Sequence, residues 1–367
     1  MRKICVKKCE VSMHKKISFK TWSLVGLSAL AVSVNTLPVA KAEQPVLNVL
    51  TYSVIQDYGV DKQISALFEP QCGCKINWIL DQHQYQMLNR YALTASKKNA
   101  TPVDVIVGVD ITSATLANST YKKLFRPINY QVSALNNFPF AQTWNNTYAQ
   151  PLTSSAVTVM YNTYKFKPSE NYASFVDLIN KMPFTFIFGD PRSNDLGRTL
   201  NQIIAYYGKD ATQQEVLWQK IKAKTVTVGK GWSSSYGIFA KGESQAALAY
   251  SSSIIYHTLV EHKTNLQPLL IGDAVPFLVD SVLLPVKSKQ PKLAEQFAKF
   301  LLTPEAQKVF FKYNSSYPVV NIDSVLSEQE QAVAKTINNY KVLDLRQLDP
   351  QAEKSALQAY IKVFVKE

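Results

Sequence analysis

Two series of short, β-branched runs alternate with helical patterns along the chain, and this constrains the fold more than any other feature. The first series is 46–52 (VLNVLTY), 75–80 (KINWIL) and 103–108 (VDVIVG), with a helical stretch over 85–96 between the last two. The second is 156–161 (AVTVMY), 184–188 (FTFIF), 224–228 (KTVTV) and 246–250 (AALAY). A further run at 282–286 leads into 291–302, where Leu293, Phe297, Phe300 and Leu301 form one apolar helix face. Thr303-Pro304 reads as the N-cap and first position of the next helix. Strand–helix–strand alternation predicts an α/β fold with parallel sheet. Two series linked by extended runs predict two lobes, one from 43–155 and 283–367 and the other from 156–282. Ligands in such lobes sit at the carboxyl ends of strands. That points to the turns at 52–59, 81–84, 110–113, 190–197, 229–237 and 250–256.

The N-terminus predicts export. Residues 1–20 hold Arg2, Lys3, Lys7, Lys8, Lys15, Lys16 and Lys20 against Glu10 alone, and 22–37 carries no charge. Ala40-Lys41-Ala42 then supplies a small-x-small ending, so the segment reads as a secretory signal peptide cleaved after Ala42. The apolar run is short and polar-interrupted for a membrane span, and no Leu-x-x-Cys lipidation box follows it. Eight basic residues and one acid precede residue 43, leaving 32 basic and 26 acidic residues and a net charge of +6. With no concentrated Lys/Arg stripe, that charge gives no indication of nucleic-acid binding. Cys5 and Cys9 leave with the signal, so Cys72 and Cys74 remain, flanking Gly73. In an oxidising compartment they predict a small disulfide ring; a Cys-x-Cys metal site lacks nearby partners for four ligands.

Signatures of catalysis are sparse. There is no Gly-x-Ser-x-Gly elbow, no His-Glu-x-x-His and no phosphate loop, and Gly229-x-Gly231 has Ser234 where a dinucleotide fingerprint needs its third glycine. His83, His257 and His262 have no metal spacing, so neither a cofactor nor a metal is expected. The turns after the strands instead carry Tyr52, Tyr58, Trp232, Tyr236, Tyr250 and Tyr256, with hydroxyls at Ser251, Ser252 and Ser253. A cation held between such faces gains about 0.5–2 kcal/mol per contact. Each aromatic taken singly is also what a half-buried core residue looks like; six of them on these turns favour a site. The segment 190–197 (DPRSNDLG) precedes a helical run at 199–207, whose free amides suit either a phosphate or a plain capped turn.

The stretch KTVTVGKGWSSSYGIFAKGES (224–244), with AYSSSIIYH behind it, resembles the periplasmic thiamine-binding proteins of bacterial ABC importers. So do LTYSVIQDYG (50–59), CGC (72–74), TWNNTY (143–148), GDPRS (189–193) and SYPVVN (316–321). The likeness is collinear across nearly all of the chain after the signal. It implies a two-lobed, hinge-closing periplasmic-binding-protein fold of the type with two crossing segments. It further implies a monomer that captures thiamine, a phosphate ester or the pyrimidine moiety, and that partners an inner-membrane ABC permease. Position by position, it implies ligand contacts from Tyr52, Trp232, Tyr250, Ser251, Ser252, Ser253 and Tyr256, with Asn194 and Asp195 near the phosphate or hydroxyethyl end. Three positions depart from the family pattern: Asp81-Gln82-His83-Gln84 replaces an Asp-Gly turn, Tyr58 stands for a Trp, and Ser315 for another Trp. Tyr58, Asp81 and His83 complete the expected site. A ferric-iron site, as in related binding proteins, needs paired tyrosines, whereas Tyr250 and Tyr256 stand six apart. A thiamine-cleaving enzyme needs an activated nucleophile in the cleft, and Cys72 and Cys74 lie at a strand's entry end.

Overall fold

The apolar runs become the strands of one mixed sheet in the computed structural model, which describes residues 43–82, 84–130, 135, 139–168, 171–335 and 340–365. Residues 1–42, expected as a signal peptide, and His83 lie outside the described residues. The strands are β1 (Val46–Tyr52), β2 (Lys75–Asp81), β3 (Val105–Asp110), β4 (Ala149–Asn162), β5 (Phe186–Gly189), β6 (Thr225–Gly229), β7 (Ala246–Tyr250), β8 (Leu266–Pro268), β9 (Ala274–Leu283), β10 (Tyr317–Pro318) and β11 (Lys341–Leu343). Their main order is β2-β1-β3-β9-β4-β7-β5-β6, with β8 and β10 paired to β4 and β11 paired to β9.

The two ends of this sheet are parallel, as the alternation predicts: β1 with β2 and β3, and β5 with β6 and β7. The middle is not. There β9 runs antiparallel to β3 and β4, and β4 antiparallel to β7. The reason is that β4 and β9 are long strands shared by both halves rather than members of either alternating series. Within β4, residues 149–156 pair with β9 and residues 157–161 pair with β7. These two strands are the crossing segments of a two-lobed fold. All six residues of β3 are buried, as expected of a strand covered on both faces.

Hydrophobic cores lie on both sides of the shared strands. On one side Leu47, Val49, Val105 and Phe68 pack with Phe297 and Phe310, and the Phe68 and Phe297 rings lie 4.9 Å apart. The helices Pro291–Phe300 and Pro304–Tyr313 belong here, and Thr303 caps the second by accepting from the Ala306 amide. On the other side Phe186, Phe188, Ile203 and Trp218 pack with Ala356, Ala359, Tyr360 and Val363. Those last four lie on the helix Pro350–Phe364, which the sequence reading placed with the first lobe. It packs instead on Asp195–Tyr207 and Ala211–Lys222, because its apolar face meets Trp218. The Trp218 and Tyr360 rings are 5.1 Å apart, and Trp218 Nε1 donates to the Ala356 carbonyl at 3.0 Å.

Cys72 and Cys74 are joined in a disulfide. Gly73 between them caps the helix Val60–Cys72 with φ 60°, a left-handed conformation that glycine adopts without steric cost. Among the described residues no group of three or more His, Cys, Asp or Glu is placed to hold a metal ion.

Candidate functional site

The strand ends open onto a cavity of about 460 Å³, within the range of small-molecule sites. Tyr52 ends β1, Asp110 ends β3 and Tyr250 ends β7, while Asn194, Asp195 and Trp232 follow the ends of β5 and β6. At Gly108, φ is 85° and an added Cβ would lie 2.2 Å from the Tyr52 ring, so this glycine leaves room for that tyrosine.

One side of the cavity is aromatic. The segment 229–237, expected as a turn, is only briefly one, because a helix begins at Trp232 and runs to Ala240. The Gly231 amide donates to Ser234 Oγ at 3.0 Å, so the serines that suggested a loop secure the helix start. Trp232 and Tyr236 are one helical turn apart, and their rings stack at 4.4 Å and 13°. Tyr250 adds a tilted contact to Trp232 at 5.4 Å. Trp232 Nε1 donates to Tyr58 Oη at 3.3 Å, and the Tyr58 ring meets the Tyr256 ring edge-on at 5.5 Å. Behind the stack, Tyr236 Oη is bonded to His257 Nε2 at 2.7 Å, and His257 Nδ1 to Glu261 Oε2 at 2.6 Å.

Four acidic residues line the cavity: Asp57, which is exposed, and Asp110, Asp195 and Asp280. Asp110 caps the helix Ile111–Asn118 through Oδ1, which accepts from the Thr112 and Ser113 amides at 3.0 Å each. Its Oδ2 is buried without a hydrogen-bond partner among the described residues, as is Asp195 Oδ1. Asp280 is fully engaged: Gln84 Nε2 donates to Oδ1 at 2.6 Å and Tyr52 Oη to Oδ2 at 3.0 Å. Asn314 Nδ2 donates in turn to Tyr52 Oη at 3.2 Å. Burial, then the neighbouring Asp110 and Asp280 charges, push the Asp195 carboxyl up to about 8. Burial likewise raises Asp280 to about 6, opposed by its bonds from Tyr52 and Gln84. Asp195 is half-buried and lines the cavity. The cavity thus combines an aromatic wall with two acidic residues, each of which keeps one buried oxygen without a hydrogen-bond partner among the described residues.

The expected site residues divide clearly. Tyr52, Tyr58, Asn194, Asp195, Trp232, Tyr250, Ser253 and Tyr256 line the cavity. Ser251 and Ser252 do not; both are fully buried, with Ser251 Oγ bonded to Tyr317 Oη at 2.5 Å and Ser252 Oγ donating to Ser155 Oγ at 3.1 Å. Asp81 also falls outside the lining, and Arg90 Nη1 lies 3.1 Å from its carboxylate. Of the two readings of 190–197, a phosphate site or a plain capped turn, the structure has the capped turn. The helix begins at Asp195, Asn194 Oδ1 accepts from the Gly197 amide at 2.9 Å, and Arg198 Nε bonds Glu353 at 2.9 Å. Asp110, Asp280, Gln84 and Asn314 were missed as individual site residues. Asp110 lay in a turn already marked for its position after a strand, but Asp280 sits mid-strand in β9, where the post-strand rule does not look.

Residues 63–336 match the family of bacterial extracellular solute-binding proteins. A thiamine-binding periplasmic protein of Escherichia coli is 32% identical over 282 residues, covering 76% of this chain and 82% of that protein. One from Brucella suis is 26% identical over 322 residues, covering 87% and 90%. A solved periplasmic thiamin binding protein superposes with a TM-score of 0.72 at 27% identity, covering 88% of this chain and 99% of that one. The ferric binding protein from Campylobacter jejuni reaches 0.67 at 19% identity over 87% and 99%, a likeness of fold. A two-lobed fold with two shared strands, a cavity at the strand ends and these relatives agree: the chain belongs to the bacterial extracellular solute-binding proteins.

Proposed function

We propose that this protein captures thiamine or a close derivative in the periplasm by closing its lobes, and delivers it to an inner-membrane ABC permease. The observation that carries this reading is the pairing of an aromatic wall (Tyr58, Trp232, Tyr236, Tyr250, Tyr256) with Asp110 and Asp195, whose unpaired oxygens suit a flat cation carrying N–H donors. The similarity to thiamine-binding periplasmic proteins supports the same ligand. Export by the 1–42 signal, with cleavage after Ala42, belongs to this proposal, and so does a monomeric state. The first lobe then comprises the β1–β3 side with 291–313, and the second the β5–β7 side with 350–364. Capture involves no bond-making; the only cysteines after residue 42 are bonded to each other.

Calorimetric titration of the purified protein with thiamine tests the reading, with Trp232→Ala as the paired variant. Wild type is expected to bind at micromolar concentration or tighter. The variant is expected to bind at least about tenfold more weakly, since a desolvated cation–π contact reaches about 2 kcal/mol. Absence of thiamine binding by wild type, or equal affinity in the variant, would overturn the assignment.

A further inference from the structure

Behind the aromatic wall lies a hydrogen-bonded chain with a defined direction. His257 is 3% exposed, and burial lowers its pKa below the ordinary histidine value, so at neutral pH the ring carries one N–H. Glu261 has only acceptors, and its carboxylate lies 2.6 Å from Nδ1, so the proton sits there. His257 Nε2 is therefore an acceptor, and the Tyr236 hydroxyl 2.7 Å away must donate to it. The phenol is thereby tethered at its far end while its ring lies flat against the Trp232 indole. Trp232 is held from the opposite side by its own bond to Tyr58.

We propose that Glu261, which does not line the cavity, is a positioning residue for ligand binding, fixing the His257 tautomer and through it the Tyr236–Trp232 stack. The proposal rests on the thiamine reading only for its choice of ligand. Without an acceptor at position 261, the imidazole proton can move to Nε2. Nε2 then donates to the Tyr236 oxygen, the phenol proton must turn to another acceptor such as the Ser253 hydroxyl, and the orientation that sets the ring against Trp232 is no longer fixed. The Lys263 ammonium lies 3.3 Å from Glu261 Oε2 on a side chain that is 48% exposed, and such solvent-accessible pairs contribute little.

Glu261→Met removes the acceptor, whereas Glu261→Gln keeps a carbonyl oxygen for Nδ1–H while removing the charge. Two readouts are taken on the intact protein: thiamine affinity by calorimetry, and the ligand-free near-UV circular dichroism attributable to Trp232, isolated by subtracting Trp232→Phe spectra. Glu261→Met is expected to weaken thiamine binding about fivefold, the effect of one lost hydrogen bond, and to diminish the Trp232 signal. Glu261→Gln is expected to restore both to near wild type. Tyr236→Phe should reproduce the Met variant, and combining the two should add no further loss. Equal weakening by Gln and Met would show that charge or general stability is at work, and would overturn the tautomer mechanism. An unchanged Trp232 signal in Glu261→Met would overturn it as well. If wild type does not bind thiamine at all, the functional reading fails, while the ligand-free spectra still decide the positioning claim.

Discussion

Asp195 opens the first turn of a helix, a favourable place for a carboxylate, yet its carboxyl is pushed up to about 8. The helix dipole is outweighed by burial and by Asp110 and Asp280 close by. A bound cation reverses that balance by favouring the ionised carboxyl, so capture should release protons. The sign follows directly: the ligand-free cavity holds more protons than the complex between pH about 6 and about 8, where Asp280 and Asp195 titrate. Affinity for thiamine should therefore rise with pH across that window and level off above it, by at most about tenfold per unit for each proton released. Titrations in buffers of different ionisation enthalpy count the protons, and Asp195→Asn should flatten the upper part of the rise. The stability of the ligand-free protein should follow the opposite trend. A carboxyl raised on folding destabilises the fold as pH climbs from its ordinary value toward the raised one. The same residue opposes phosphate. With Arg198 tied to Glu353 and the Gly197 amide taken by Asn194, thiamine should bind more tightly than its mono- or diphosphate. Asp195→Asn should narrow the gap, and tighter binding of the diphosphate by wild type would contradict this account.

At the scale of elements, the helix Pro350–Phe364 joins the cavity's supporting wall to the end of the fold. Glu353 receives Arg198 Nε at 2.9 Å and Gln202 Nε2 at 3.3 Å, and its backbone carbonyl accepts from Asn201 at 2.9 Å. Glu353→Ala leaves the half-buried guanidinium without its partner and should cost about 1–3 kcal/mol in urea unfolding. Thiamine affinity should stay within about twofold, because none of these groups lines the cavity; a large affinity loss would place Arg198 in the site after all. The elements themselves were legible to different degrees, for physical reasons. Strands β1 and β7 coincide with their apolar runs at 46–52 and 246–250, where composition, burial and strand length all agree. The helix at Trp232 was hidden because its first turn is Ser-rich, and serine at a helix start looks the same in sequence as serine in a loop. The antiparallel centre was hidden because β4 and β9 each serve two neighbours, a fact of tertiary pairing that no local pattern carries. The aromatic lining of the cavity was legible from Tyr and Trp gathered on post-strand turns. The serines at 251 and 252 misled because a hydroxyl can pair with another buried side-chain hydroxyl as readily as with a ligand.

Across the whole molecule, the contacts of Tyr58 bridge the two sides of the cavity. It follows β1, while its partners Trp232 and Tyr256 follow β6 and β7, and the shared strands β4 and β9 run between those sides. Lobe closure and ligand retention should therefore depend on it. Tyr58→Ala should speed thiamine release in stopped-flow fluorescence by about tenfold with a smaller change in the association rate, since contacts made after encounter act mainly on dissociation. Equal changes in both rates would show that Tyr58 steers entry rather than holding the closed state. The path of the chain has a further consequence. In a chain threaded through a membrane N-terminus first, β5, β6 and β7 and the helix bearing Trp218 emerge well before 350–364, the segment that covers their apolar face. The second half of the cavity can assume its finished form only when that late helix arrives, so binding competence should be among the last properties the emerging polypeptide acquires.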